Sequence, residues 1–379
     1  MKIMLYSQHV LGIGHFFRSM EIARALHEHD VMFVEGGDPL PGFTAPPHVT
    51  RFMLPPLMMD AEFKSMDAGE GNLEEIKAAR SKLLMEAFMD FAPQVLVTEL
   101  FPFGRRQFRF ELMPLLEAVL KARKRTKLVC SLRDILVEKT NQAAYEAWVL
   151  KILNTYYCLL LVHSDPSLIS LDETFTRVNQ IRIPIRYTGF VTRPLPTGKK
   201  ESARRVIVAS SGGGKVGQDL LAGTIAAVQS LPDPDLLLKV FVGPFMAKPD
   251  RDFLKNLADR DTRTTLKPFS QDFLGELIGA DLSISMAGYN TCMDILNTGT
   301  KALVYPFPQN REQGLRARKL MNAGLVRVIN DLDAVSLAHS IEVSLKSTVE
   351  SPKFNPDLAG AFNTSLLIDE LASSDGSKA

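Results

Sequence analysis

Short runs rich in branched apolar residues recur along this chain, separated by longer stretches in which apolar positions return every three or four residues. The first pattern fits buried strands and the second amphipathic helices, so their alternation predicts βα units around a parallel sheet. The succession occurs twice. In the first half, strands are expected near Lys2 to Tyr6, Val31 to Val34, Val95 to Thr98, Lys127 to Ser131 and Leu159 to Val162, with helices starting near His15, Leu73, Gln107 and Asn141. In the second half, strands near Arg205 to Ala209, Leu237 to Val242, Thr264 to Lys267, Leu282 to Ser285, Ala302 to Tyr305 and Val326 to Ile329 alternate with helices near Val216, Arg251, Gln271, Tyr289, Arg311 and Ala334. The fold class is α/β, with two doubly wound, Rossmann-like halves.

Between the halves, Arg193-Pro194-Leu195-Pro196-Thr197-Gly198-Lys199-Lys200 is too rich in Pro, Gly and charge to continue a sheet, and marks a linker. The expected division is an N-terminal domain over residues 1–193, a C-terminal domain over 201–350, and a closing segment over 351–379. In that segment Leu366, Leu367 and Leu371 form a last apolar helix face before a frayed tail. A length of 379 residues agrees with two full cores.

Charge removes some possibilities. Lys plus Arg (44) nearly balances Asp plus Glu (43), so no strong field implies nucleic acid as the main partner. Cys130, Cys158 and Cys292 are odd in number and lack Cys-x-x-Cys spacing, which points to a reducing compartment, the cytoplasm, and away from structural zinc. No signal-peptide succession or membrane-length apolar run is read. The Asp-x-Asp pairs, such as Asp233 with Asp235, fall in polar turns or helices away from strand ends, so neither metal nor cofactor is expected.

In doubly wound sheets, ligands gather beyond the carboxyl ends of the strands. There the most informative stretch is Ser285-Met286-Ala287-Gly288-Tyr289-Asn290-Thr291, a small turn that opens a helix and aims backbone N–H groups at one spot, as a phosphate requires. Asp294 follows one turn later, spaced to accept hydrogen bonds from a ribose. Ser210-Ser211-Gly212-Gly213-Gly214-Lys215 provides a second glycine turn after a strand, without the Walker pattern, and an ordinary strand-to-helix turn is its alternative reading. After the first strand, Gly12-Ile13-Gly14-His15-Phe16-Phe17-Arg18 places a His at a helix start, where its imidazole is suited to act as a general base, or merely to cap the helix. Its glycine spacing disfavours a dehydrogenase. Glu99 with Arg105, Arg133 with Asp134, and His163 also follow strands and are acceptor-pocket candidates, although such pairs are more often structural. Met53, Met58, Met59 and Met66 lie in a long connection suited either to packing or to a greasy acceptor.

Taken together, Gly-x-Gly-His near the start, the glycine turn opening the second half, and Ala-Gly-x-x-Thr-x-x-Asp followed by Pro-Phe-x-x-x-Arg-Glu-Gln resemble GT-B glycosyltransferases. The likeness spans nearly the whole chain and is most specific from Asp281 to Gln313. It points to the branch containing the bacterial GlcNAc transferase that makes lipid II. The resemblance implies two Rossmann-like domains facing across a cleft, with a nucleotide-sugar donor on the C-terminal one and an acceptor on the N-terminal one. Phe269 and Ser270 would then meet the base, and Asp294 the ribose. Ser211, Gly212, Gly213 and Gly214, with Ala287, Gly288, Tyr289, Asn290 and Thr291, would hold the diphosphate, assisted by Arg193. Glu312 and Gln313 would bind the sugar. His15, with Gly12, Gly14 and Arg18, would approach the anomeric centre, and closure of the halves would exclude water.

The implied reaction is metal-independent transfer of a hexose-type sugar, from a UDP-sugar by preference, to an unknown hydroxyl acceptor with inversion. Retention in this fold uses two glutamates eight positions apart, and Met286 stands where the first would be. A lipid acceptor would bring peripheral membrane contact. The Gly-x-Gly-His-x-x-Arg spacing is also similar to that of nucleotide-sugar hydrolases of the same fold, so a hydrolase or epimerase is the alternative, as is a non-catalytic nucleotide-sugar binder.

Overall fold

A computed structural model describes residues 1–10, 13–38, 40, 43–59, 66–67, 71–121, 126–198, 202–213, 216–270, 272–347 and 354–373. Gly12, Gly214 and Lys215 of the candidate loops lie outside these residues. The chain divides into two compact units, one of Met1–Val191 with the chain from Asp357 onward, the other Thr192–Pro356.

The first unit runs β1 (Lys2–Ser7), α1 (Gly14–Ala25), β2 (Asp30–Glu35), β3 (Val49–Met53), the two-residue strands β4 (Met58–Met59) and β5 (Met66–Asp67), α2 (Leu73–Phe91), β6 (Val95–Glu99), α3 (Arg109–Lys121), β7 (Lys127–Arg133), α4 (Gln142–Tyr156), β8 (Leu159–His163) and β9 (Ile185–Tyr187). Its sheet has the order β3-β2-β1-β6-β7-β8-β9, parallel throughout. Strands β3 and β9 were not expected. Polar Thr50 and Arg51 interrupt β3, and β9 is only three residues long, so neither carries a strong apolar pattern.

Alternation along β1 shows how the layers form. Met4 and Tyr6 join the core beneath α2, α3 and α4, whereas Ile3 and Leu5 join Phe16, Phe33 and Val97 on the other face. Each such apolar side chain contributes roughly 1.5–3 kcal/mol on burial.

The second unit runs β10 (Arg205–Ser210), α5 (Gln218–Ser230), β11 (Leu236–Phe241), α6 (Lys248–Ala258), β12 (Thr264–Lys267), α7 (Phe273–Ile278), β13 (Leu282–Met286), α8 (Tyr289–Thr298), β14 (Ala302–Tyr305), α9 (Arg311–Asn322), β15 (Arg327–Val328) and α10 (Ala334–Lys346). Its parallel sheet has the order β12-β11-β10-β13-β14-β15. The expected strands and helices are all present, with shifted ends.

The last helix, α11 (Gly360–Ser373), packs against α1 in the first unit, where Ile368 is fully buried in the core that contains Phe16. Its start is tied by Phe190 N–H to Asp357 O (2.7 Å) and Gly360 N–H to Phe190 O (3.0 Å). A Cβ on Gly360 would stand 2.5 Å from Gly189 O, so only glycine permits this approach.

Candidate functional site

In both sheets the strand order reverses beside the first strand, between β1 and β6 and between β10 and β13. Such a switch point opens a crevice at the carboxyl ends of the strands.

In the first unit, His15 lies in the opening turn of α1 and Glu99 ends β6, which pairs with β1. Strand order thus joins residues 84 positions apart: His15 Nδ1 is 2.7 Å from Glu99 Oε1. An ionised carboxylate only accepts, so Nδ1 carries the proton and Nε2 keeps its lone pair. Arg18 donates to the same Glu99 oxygen, and Arg105 Nε faces Glu99 Oε2 at 4.0 Å. Burial lowers the imidazole pKa to about 3, with Arg105 and Arg18 acting in the same direction and Glu99 against them. Burial alone would raise Glu99, yet His15 and the two guanidinium groups hold it well below the usual carboxylate range. A neutral imidazole backed by an ionised carboxylate is the arrangement of a general base, and a fifth of the His15 side chain remains exposed.

The other candidates after strands of this sheet are less accessible. His163 is fully buried; its Nε2 meets Ser131 Oγ at 2.7 Å, its Nδ1 meets Thr188 Oγ1 at 2.9 Å, and burial lowers its pKa to about 3. Asp134 is also fully buried and accepts from Ile135 N–H at 2.9 Å. Arg133 ends β7 and lies within electrostatic reach of Arg105.

Sequence reasoning missed a buried network elsewhere in this unit. Arg80 is fully buried on α2, bound by both Glu111 oxygens (2.6 and 2.8 Å), and it donates to Gly36 O, Pro55 O and Gln8 Oε1. It therefore fixes the turns after β1 and β2. The one signal in the sequence is the Gly36-Gly37 pair after β2: a Cβ on Gly36 would lie 2.4 Å from Arg80 Nη1, and one on Gly37 would lie 2.4 Å from His9 Nε2.

In the second unit the turns after β10 and β13 meet. Gly212 has a left-handed φ of 72°, and Thr291 Oγ1 is 3.7 Å from where its Cβ would stand. Ser210 Oγ accepts from Gly212 N–H (3.0 Å), and Ser211 Oγ accepts from Gly243 N–H (3.2 Å), so the turn is held from both sides. Asn310 caps α9 and Asp333 caps α10 through their side chains, whereas α5 begins at Gly217 and α8 at Gly288 with no side-chain cap. Nothing lies within 4 Å of a Cβ built on Gly288. A Cβ on Gly217 would instead stand 2.8 Å from Ser211 Cβ, so the start of α5 is packed against the turn after β10, and the uncapped start of α8, open in front of Gly288, is the one that suits an anion.

Other expected contacts are engaged within the protein. Ala287 N–H donates to Tyr305 O (3.1 Å), while Arg316 donates to Ala287 O and lies over the Tyr289 ring. Asp294 is almost fully buried and receives Arg193 on both oxygens, Nη2 at 2.6 Å and Nε at 3.2 Å. Burial raises its pKa and Arg193 opposes that. Asn297 Nδ2 donates to Arg193 O at 2.7 Å, so α8 grips the residue before the linker prolines. Gln313 Oε1 accepts from Phe307 N–H (3.0 Å), locking the turn before α9, beside Glu312 in the first turn of that helix. Phe269 is 40% exposed after β12, and Ser270 Oγ accepts from Asp272 N–H. Gly213 and Asn290 flank the two turns, and Gly14 opens α1. Among the described residues no group of three or more His, Cys, Asp or Glu comes together, and no helix is long and apolar enough to cross a membrane.

Residues 221–361 match the glycosyltransferase family 28 C-terminal domain. Solved structures resemble the whole chain. CalG4, the calicheamicin glycosyltransferase, is 14% identical, with 100% of this chain and 99% of that one covered at a TM-score of 0.63. The chain has the GT-B fold. A putative UDP-N-acetylglucosamine 2-epimerase from Listeria monocytogenes shares this fold at 13% identity, covering 100% and 97% of the two chains with a TM-score of 0.66. MurG from Acinetobacter baumannii does so at 13% identity, 98% and 99% coverage and a TM-score of 0.54. No curated protein matches. The match of residues 221–361 to the family 28 C-terminal domain, within a chain of GT-B fold, supports an enzyme of the glycosyltransferase type.

Proposed function

We propose that this enzyme transfers a hexose-type sugar from a nucleotide diphosphate donor, a UDP-sugar by preference, to a hydroxyl acceptor, with inversion and without a metal. The acceptor hydroxyl gives its proton to His15 Nε2 while its oxygen bonds to the anomeric carbon. The bond from that carbon to the phosphate oxygen breaks on the opposite side, and the nucleoside diphosphate leaves with the electron pair. Glu99 stabilises the imidazolium that forms, and the helix start at Gly288 stabilises the leaving group.

The observation that carries this reading is the His15–Glu99 pair, because a protein that only binds nucleotide sugars has no use for a base held in one tautomer. Donor and base are matched by ligand: the UDP-sugar that most raises the melting temperature identifies the donor. With that donor and an acceptor panel, His15→Ala should lose about 10²- to 10⁴-fold in turnover while its affinity for UDP stays within twofold. Unchanged turnover would remove His15 from the chemistry.

The likeness to a putative UDP-N-acetylglucosamine 2-epimerase favours a second reading, isomerisation or hydrolysis of the donor itself. Donor incubated without acceptor decides: rapid loss or isomerisation of the sugar supports the second reading, and an intact donor supports transfer.

A further inference from the structure

Arg105 has a role that general-base chemistry leaves unfilled. Its side chain is 8% exposed, and Nε and Nη2 are buried without a hydrogen-bond partner. Its nearest carboxylate oxygen, Glu99 Oε2, stands 4.0 Å away, while Oε1 of the same group already takes His15 and Arg18. Leaving a buried donor unsatisfied costs roughly 1–3 kcal/mol, and more for a charged group. Glu99 attracts Arg105 while Arg133 and Arg18 repel it, so two further guanidinium groups lie within its electrostatic reach.

The loop that presents Arg105 is firmly held. Leu100 N–H donates to Ser131 O, Gly104 N–H to Leu100 O (2.7 Å) and Tyr145 Oη to Phe103 O (2.7 Å), with Phe101 and Phe103 buried. Arg105 itself has a φ of 57°, a left-handed conformation that costs a non-glycine residue about 1 kcal/mol. An expensive backbone, rigidly supported, holds a guanidinium with idle donors near the base.

We propose that Arg105, with Arg133 beside it, binds a phosphate group carried by the acceptor close to the hydroxyl that His15 deprotonates. The planar fork of a guanidinium matches phosphate oxygens in pairs, and a second guanidinium nearby favours a dianion over a carboxylate. This deepens the transfer reading and rests on it, since it divides the anions between the units: the donor's diphosphate at the start of α8 in the second, the acceptor's phosphate at Arg105 of the first.

The test titrates inorganic phosphate calorimetrically into the full chain saturated with UDP, for the wild type, Arg105→Gln and Arg105→Lys, with folding checked by circular dichroism. Arg105→Gln should weaken phosphate at least 10-fold while UDP affinity stays within twofold, and Arg105→Lys should fall between. Acetate at equal concentration should give no binding. Phosphate affinity unchanged in both variants, or no phosphate binding by the UDP-saturated wild type, overturns the proposal; acetate binding as well as phosphate overturns the dianion. A UDP affinity that falls in step with phosphate assigns Arg105 to the donor and also overturns it. Failure of UDP to bind at all, with Arg105-dependent phosphate binding intact, instead sinks the donor reading and leaves the anion site standing.

Discussion

The two units reverse their strand order at the same place, yet they fill the crevice with opposite kinds of chemistry. At β1 and β6 the first unit gathers side chains that carry or exchange protons: His15, Glu99, Arg18 and Arg105, almost all removed from water. At β10 and β13 the second unit gathers small residues and backbone, with Gly212 against Thr291 and open space before Gly288. Side-chain charge is expensive to bury and responds to every neighbour, so it suits a site whose protonation state must be controlled. Backbone amides have fixed dipoles and no titration, so they suit a site that must receive the same anion at every pH. One topology therefore carries a crevice lined by buried charged side chains in one unit and a crevice lined by small residues and backbone in the other.

The comparison breaks most sharply at Glu99. Glu99→Gln removes the charge that orients His15 and leaves the buried Arg18 without its carboxylate. Turnover should fall by about 10²- to 10⁴-fold, and stability by roughly 3–5 kcal/mol. UDP affinity, if it resides in the second unit, should change by less than twofold at a temperature where the variant is folded. Kinetics, chemical denaturation and UDP titration on one preparation give all three, and a large loss of UDP affinity would show that the two halves are not separable.

How much of this could be seen in the sequence follows the same division. The second unit's turns are local, so Gly288 at a helix start and Gly212 after a strand are visible as short patterns. The β1 and β6 pairing that unites His15 with Glu99 is tertiary. The sequence presents Glu99 as a partner of Arg105, and only the strand order brings it to the imidazole. Arg80 was unreadable for the same reason, since a buried guanidinium on an amphipathic helix looks like any surface arginine until Glu111, Gln8 and Gly36 surround it. Helix α11 follows the second unit in sequence but packs on α1, because its apolar face finds Phe16 and Ile22 there. Asp294 was legible as a position; its engagement by Arg193 was not.

Acid sharpens the comparison at a smaller scale. Burial holds both His15 and His163 near a pKa of about 3, below the ordinary 6.5. Between those values the unfolded chain binds protons that the folded chain refuses, so unfolding free energy falls as pH falls from 6.5 towards 3, by up to about 1.4 kcal/mol per pH unit for each imidazole. In the second unit, Glu276 is lowered to about 2 against its own burial by Lys239 and Lys267, and loses stabilisation only below its ordinary 4.5; Asp294, raised by burial, shifts in the opposite sense. From pH 6.5 to 5 the loss should therefore reside in the first unit. His163→Gln, which can still bond to Ser131 and Thr188, should flatten the dependence of melting temperature on pH in that window, and parallel curves for variant and wild type would contradict the assignment.

Gly288 provides the finest division, because there folding and binding should respond with opposite signs. Its backbone is extended, at φ −69° and ψ 153°, which any residue adopts, and no atom lies within 4 Å of a new Cβ. Gly288→Asp therefore costs no strain and gives α8 the capping carboxylate it lacks, favourable by about 0.5 kcal/mol. The same carboxylate would occupy the amides proposed for the diphosphate and repel its charge, weakening UDP by about 10-fold or more. Contrast Gly36 in the first unit, where a side chain would collide with Arg80 and harm folding outright. A Gly288→Asp protein that melts at or above the wild-type temperature but binds UDP poorly would place the anion at α8; one that binds UDP normally would move the diphosphate elsewhere, since a negative charge at the first turn of the helix cannot be neutral to a pyrophosphate held there.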